Sequence, residues 1–154
     1  MTVKHFDTPT DRSLLFYAEK LDELMTNWEN EIVEFKEAKA AYDTDKIGRY
    51  FSALSNEANL RQQQCGWLVF GVSETHDRRL VGSNYKKGDR SLLEKFKYEI
   101  AKFSTGGITF DEITELQLVS DGKAHRVLMF KIPAAATGIP TAWHEAYYAR
   151  AGES

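Results

Sequence analysis

The chain has 154 residues, of which 42% are hydrophobic, 12% aromatic and 28% charged, with a formal net charge of −3. That is one domain's length with ample material for a packed core, and it excludes disordered, collagen-like and coiled-coil architectures. A lone cysteine, Cys65, excludes an internal disulfide framework and any multi-cysteine zinc site.

Taken in chain order, Thr10-Asp11 offers a cap for a helix running to about Trp28. Leu14, Tyr17, Ala18, Leu21, Leu24, Met25 and Trp28 form its apolar stripe. Glu31 to Lys36 alternates, sending Val33 and Phe35 to one face and Glu34 and Lys36 to the other, as in a half-buried strand. Asp43-Thr44-Asp45 caps a second helix carrying Ile47, Tyr50, Phe51, Leu54 and Ala58 at helical spacing. Trp67 to Val72 is a continuous apolar run, which predicts a central strand covered on both faces. The run is far too short to span a bilayer.

After a His76-Asp77 turn, Arg79 to Gly82 reads as a short partner strand. Ser91-Leu92-Leu93-Glu94 has the form of a capping box, opening a third helix with Leu92, Leu93, Phe96, Ile100 and Phe103 inward. Gly106-Gly107 stops it. Ile113–Val119 and Ala124–Ile132 form a hairpin about an Asp121-Gly122 turn. Pro133 and Pro140 bracket a loop, and Ala146 to Arg150 reads as a last short strand. The expected fold is a single α+β domain over 1–154, a mixed and mostly antiparallel sheet packed with about three helices. The opening MTVKHFDTPTD has no apolar signal core, which with the lone cysteine predicts a cytoplasmic protein without a membrane segment.

Charge is unevenly spread. Residues 1–77 carry 8 Lys/Arg against 14 Asp/Glu, and residues 78–154 carry 12 against 9. Arg78, Arg79, Lys86 and Lys87 head a basic stretch to Lys102, the pattern of a phosphate footprint or of an ordinary solvated face. No phosphate-binding G-x-x-x-x-G-K-[ST] loop or G-x-S-x-G elbow is present, and the four histidines share no ligand spacing. His76 beside Asp77 is the one that sits in a functional-looking turn.

The carboxylates are more informative. Glu29 lies at the end of the first helix, Glu34 on the polar face of the first strand, and Glu74 just beyond the buried strand. Oxygen ligands so placed suit a hard cation, which would polarise a phosphodiester; solvated surface glutamates are the plainer reading. Trp28 and Trp67 fall on apolar faces and belong to the core. Trp143, in the Pro140–His144 loop, fits either the core or a base-stacking surface.

Glu29-x-x-x-x-Glu34-Phe35-Lys36, a helix ending Ala53-Leu54-Ser55-Asn56, Gly66–Val72 followed by x-Glu74, Leu80-Val81-Gly82, Ile132-Pro133 and Tyr147-Tyr148-Ala149-Arg150-Ala151-Gly152 occur in this order. Together they resemble the Schlafen AlbA-like (AlbA_2) domain from residue 29 onward, with 1–28 an N-terminal helical segment. The resemblance implies a module directed to RNA, transfer RNA or another structured RNA, with a metal-dependent ribonuclease site. Glu29, Glu34 and Glu74 would hold Mg²⁺ or Mn²⁺ and act in catalysis, and Lys36, which matches a family lysine, would contact nucleic acid together with Arg78, Arg79, Lys86 and Lys87 of the basic stretch. Glu74 replaces the family's aspartate, which puts catalysis in question, and Glu57–Cys65 replaces a tight Asn-x-x-Gly-Gly connection. The other readings are a non-catalytic DNA-binding or regulatory module and a nucleotide-binding regulator. A homodimer supplying a second lobe is expected, as are further domains of a longer parent chain.

Overall fold

The computed structural model describes residues 5–88 and 90–150, so Asp89 and the Ala151-Gly152 end of the terminal motif lie outside the described residues. Helix α1 spans Arg12–Thr26, α2 Thr44–Leu60 and α3 Arg90–Phe103. The strands are β1 Val33–Lys36, β2 Cys65–Phe70, β3 Glu112–Ser120, β4 Lys123–Pro133, β5 Ala142–Trp143 and β6 Ala146–Tyr147. The main sheet has the order β1-β2-β4-β3, with β5 and β6 forming a separate ribbon. β1 runs parallel to β2, and the other two pairings are antiparallel. This is the expected α+β architecture.

Local chemistry explains most boundaries. Asp11 accepts the Ser13 N–H at 3.0 Å and Asp43 accepts the Asp45 N–H at 3.0 Å, satisfying donors that open α1 and α2. Asp121 and Gly122 have φ of 53° and 75°, the paired positive angles of a two-residue hairpin turn. α3 begins at Arg90, one residue before Ser91. The expected partner strand at Arg79–Gly82 reduces to one bridge, Val72 with Leu80, because Gly71 (φ 107°) turns the chain out of β2. A terminal strand expected over 146–150 is confined to Ala146–Tyr147.

Period-two alternation divides the core into two layers. Val33 and Phe35, Trp67 and Val69, and Val127 and Met129 face α1, meeting Ala18, Leu21, Leu24 and Met25. Leu68, Phe70, Leu128, Phe130 and Ile132 face α2 and α3, meeting Phe51, Leu54, Phe96 and Ile100. β2 is therefore covered on both sides, as its unbroken apolar run predicts. The polar face of β1 is also covered, so Glu34 is only 8% exposed.

The C-terminal segment completes the α2 layer. Ser52, Ser55 and Asn56, at i, i+3 and i+4 on one face of α2, all bond Thr141. Trp143 lies over Gly48 and is 2% exposed, which places it in the core and not in a surface loop. Trp28 is only half-buried, a departure from its expected core position, because it caps a cleft at the Trp28–Asn30 turn. Phe103, expected to face inward, is 47% exposed at the last turn of α3.

Candidate nucleic-acid interface

β1 is short and sits at the sheet edge, so its polar side chains reach the space between α2, the β2–α3 connection and the C-terminal segment. Glu34 enters a small cleft of about 120 Å³, lined also by Trp28, Glu29, Glu57, Arg78 and Arg150. Arg150 brings the C-terminal segment to this point. It donates to Glu57 Oε2 at 2.8 Å and to the Val33 carbonyl at 3.1 Å, and its Nε lies 3.6 Å from Glu34 Oε1. Burial raises the Glu34 pKa, and Arg150, Lys36 and Arg78 oppose that shift without cancelling it. Glu34 Oε1 and Arg150 Nε are both buried and form no hydrogen bond.

Lys36 faces a second, more open cleft of about 530 Å³, lined by Tyr42, Lys46, Arg49, Tyr50 and Glu74. Its ammonium lies 3.3 Å from Glu74 Oε1, 3.9 Å from Glu34 Oε2 and 5.0 Å from the Tyr50 ring centre. Burial works against the Lys36 charge, but Tyr50, Glu74 and Glu34 outweigh it and hold the amine protonated. Burial likewise pushes the Tyr42 hydroxyl up to about 12. Lys46 sits over the Tyr42 ring at 6.0 Å and Arg49 over the Tyr148 ring at 5.8 Å. The cleft thus alternates cations with aromatic rings, a combination that serves phosphates and bases together.

The three expected carboxylates are not gathered into one ligand set. Glu29 is exposed on the Trp28–Asn30 turn and shares the small cleft with Glu34. Glu74 lies in the second cleft, where it accepts the Glu37 N–H at 3.2 Å as well as Lys36. The Lys36 ammonium stands between Glu34 and Glu74, and Arg150 sits against Glu34, so fixed cations already neutralise the position a metal would take. Among the described residues, no group of three or more His, Cys, Asp or Glu is placed to hold a metal ion. As arranged, these residues do not fit a bound Mg²⁺ or Mn²⁺.

The basic stretch also divides. Arg78 is clamped between the Trp28 and Phe35 rings, 4.7 and 4.8 Å from their centres, and donates to the Ser73 carbonyl at 3.0 Å. His76 meets the edge of the same Trp28 ring at 5.1 Å. Arg79 is exposed and pairs with Asp77 at 3.2 Å. Lys86 and Lys87 line a different groove with Arg90 and the buried Arg126. Lys46, Arg49 and Arg150 are functional candidates the sequence reading missed. A signal for the first two was available, since Lys46, Arg49 and Tyr50 stand at i, i+3 and i+4 on α2.

A four-stranded mixed sheet with helices on both faces and a cationic, tyrosine-lined cleft at its β1 edge defines a small α+β domain. The sequence model of the family described as Schlafen, AlbA_2 matches residues 29–154, and the chain belongs to that family. Membership makes it a nucleic-acid-related domain. Comparison with curated proteins gives no match. No helix among the described residues is long and apolar enough to cross a membrane.

Proposed function

We propose that the chain is an RNA-directed binding module that takes the phosphate backbone of structured RNA on Lys36, Lys46 and Arg49. The observation that carries this reading is the second cleft, where Lys36, Lys46 and Arg49 are interleaved with Tyr42 and Tyr50, Arg49 lying also over the Tyr148 ring. Glu34 and Glu74 act here as supports that hold the Lys36 ammonium in place. Each phosphate neutralised releases condensed counterion, so affinity for a transfer RNA should fall steeply with salt. Replacing Lys46 and Arg49 by Ala should lower the slope of log affinity against log salt by roughly 0.9 per lost contact. An unchanged slope and affinity in the double variant would remove these residues from the interface. Equal binding of duplex DNA would favour the DNA-binding or regulatory reading.

A second reading, a ribonuclease dependent on Mg²⁺ or Mn²⁺, draws support from Glu29 and Glu34 lining one cleft in which Glu34 Oε1 lacks a hydrogen-bond partner. It requires Lys36 to release Glu74. Clean protein incubated with transfer RNA and Mn²⁺ decides the point: cleavage that chelator and Glu29→Gln both abolish establishes it. Intact RNA throughout leaves the binding module.

A further inference from the structure

The β5–β6 ribbon is closed by His144 and Glu145, two consecutive non-glycine residues with φ of 48° and 66°. Such angles are disfavoured for residues with a side chain, and glycine or asparagine would close the turn more easily. The strained turn presents the His144 ring flat against Phe103, with centroids 4.1 Å apart and planes 19° from parallel. The His144 N–H donates to the Phe103 carbonyl at 2.9 Å, which fixes the ribbon to the end of α3. The buried Trp143 supports both rings edge-on, 5.8 Å from Phe103 and 4.8 Å from His144.

The stack is open to solvent. His144 is exposed, Phe103 is 47% exposed, and Tyr147 is 66% exposed on the same ribbon. These three rings, with Lys102, Ser104 and Glu145, line a cleft of about 640 Å³. Lys95, Tyr98 and Lys102 lie exposed at i, i+3 and i+7 on α3, so an alternating cation and ring stripe leads into the cleft. Asp45 ties this region to the Lys46–Arg49 cleft, accepting the Trp143 indole N–H at 2.8 Å and pairing with Arg49 at 2.7 Å.

We infer that this cleft is a second nucleic-acid site, one that takes an unpaired nucleotide of a single strand by stacking its base on the His144–Phe103 pair. A paired base hides its faces inside the duplex, so a ring platform of this kind rewards bases that are already unstacked. Lys102 and Lys95 supply cations for the adjoining phosphates, and the Glu145 carboxylate supplies an acceptor for a base amino group. That acceptor favours adenine, cytosine or guanine over uracil. The inference rests on the nucleic-acid-binding reading but uses a different surface from Lys36, Lys46 and Arg49.

The test compares a single-stranded adenylate decamer with a blunt RNA hairpin as ligands. The proteins are the wild type, Phe103→Ala, His144→Gly and the Lys46→Ala/Arg49→Ala pair. Wild type should bind both ligands. Phe103→Ala and His144→Gly should lose about tenfold in decamer affinity, the worth of one stacked base, and change little for the hairpin. Glycine suits the turn at position 144, so His144→Gly should melt no lower than wild type while it loses the decamer. The Lys46/Arg49 pair should chiefly lose the hairpin. Undiminished decamer binding by both ring variants overturns the inference, as does a wild type that binds the hairpin and not the decamer. A wild type that binds neither ligand overturns this inference and the proposed function together.

Discussion

Asn56 serves both backbone groups of a single residue 85 positions away: its Oδ1 accepts the Thr141 N–H at 2.6 Å, and its Nδ2 donates to the Thr141 carbonyl at 3.0 Å. The same Nδ2 also donates to the Tyr148 carbonyl at 3.1 Å. One amide on α2 therefore holds the C-terminal segment in the register that delivers Arg150 to Glu34 and Trp143 to Gly48. Asn56→Ala removes all three bonds and strands backbone groups in a part-buried site. It should cost about 2–4 kcal/mol in urea unfolding. Asn56→Asp keeps the acceptor and should fall between. A loss in Asn56→Ala too small to resolve would mean that the segment's other ties, from Ser52, Ser55, Asp45 and Arg150, hold it without this amide.

Gly48 is demanded by its neighbour, since a Cβ there would meet Trp143 Cε2 at 2.0 Å. In a helix interior, Ala for Gly ordinarily gains about 0.5–1 kcal/mol. Here the overlap with a buried indole should reverse the sign and destabilise by about 2 kcal/mol. A Gly48→Ala variant more stable than wild type would show that Trp143 moves aside freely.

The buried Glu34 carboxyl predicts a pH dependence. Its folded pKa is raised above the ordinary 4.5, so the native state binds the proton more readily than the unfolded chain. The sign follows: Glu34's contribution is fully present at acid pH and is lost as pH rises from 4.5 through the raised value. The stability of Glu34→Gln relative to wild type should therefore grow across that window when unfolding is followed at a series of pH values. A pH-independent difference would contradict the burial-driven shift.

Association gives a further test. β3 is a nine-residue edge strand; among the described residues its far side carries the Asp7 N–H on the Val119 carbonyl and pairs with no strand. An open edge of this length invites pairing with a second copy, and two-fold symmetry is the commonest closed solution. Sedimentation should show a dimer that Val119→Lys shifts toward monomer. A wild-type monomer at high concentration, with and without RNA, would count against the homodimer.

Much of the fold was legible because its causes are local. The caps at Asp11 and Asp43 precede their helices directly, the Asp121-Gly122 turn needs only its own two residues, and alternation along β1 assigns each side chain to a face. Leu80 shows where that legibility ends. Its segment has the pattern of a strand, yet Gly71 directs the chain away after one bridge, and the pairing of a strand depends on its partner's path.

By itself, the sequence determined the element order, the two-faced burial of β2 and, through the ordered motifs from Glu29 to Arg150, the family. Only the tertiary structure decided what the polar residues do. Glu34 and Arg150 are 116 positions apart and meet because α2 clasps the C-terminal segment, while Glu74 pairs with Lys36 in a different cleft from Glu29. Arg78 and Lys86 are close in sequence and line different clefts, because the β2–α3 connection carries them to separate sides. Trp143 is buried and His144 exposed, although they are consecutive, because Trp143 ends β5 and His144 begins the turn of the ribbon. Periodicity reports which face of an element a residue occupies; what that face meets is settled by long-range packing, which no local pattern encodes.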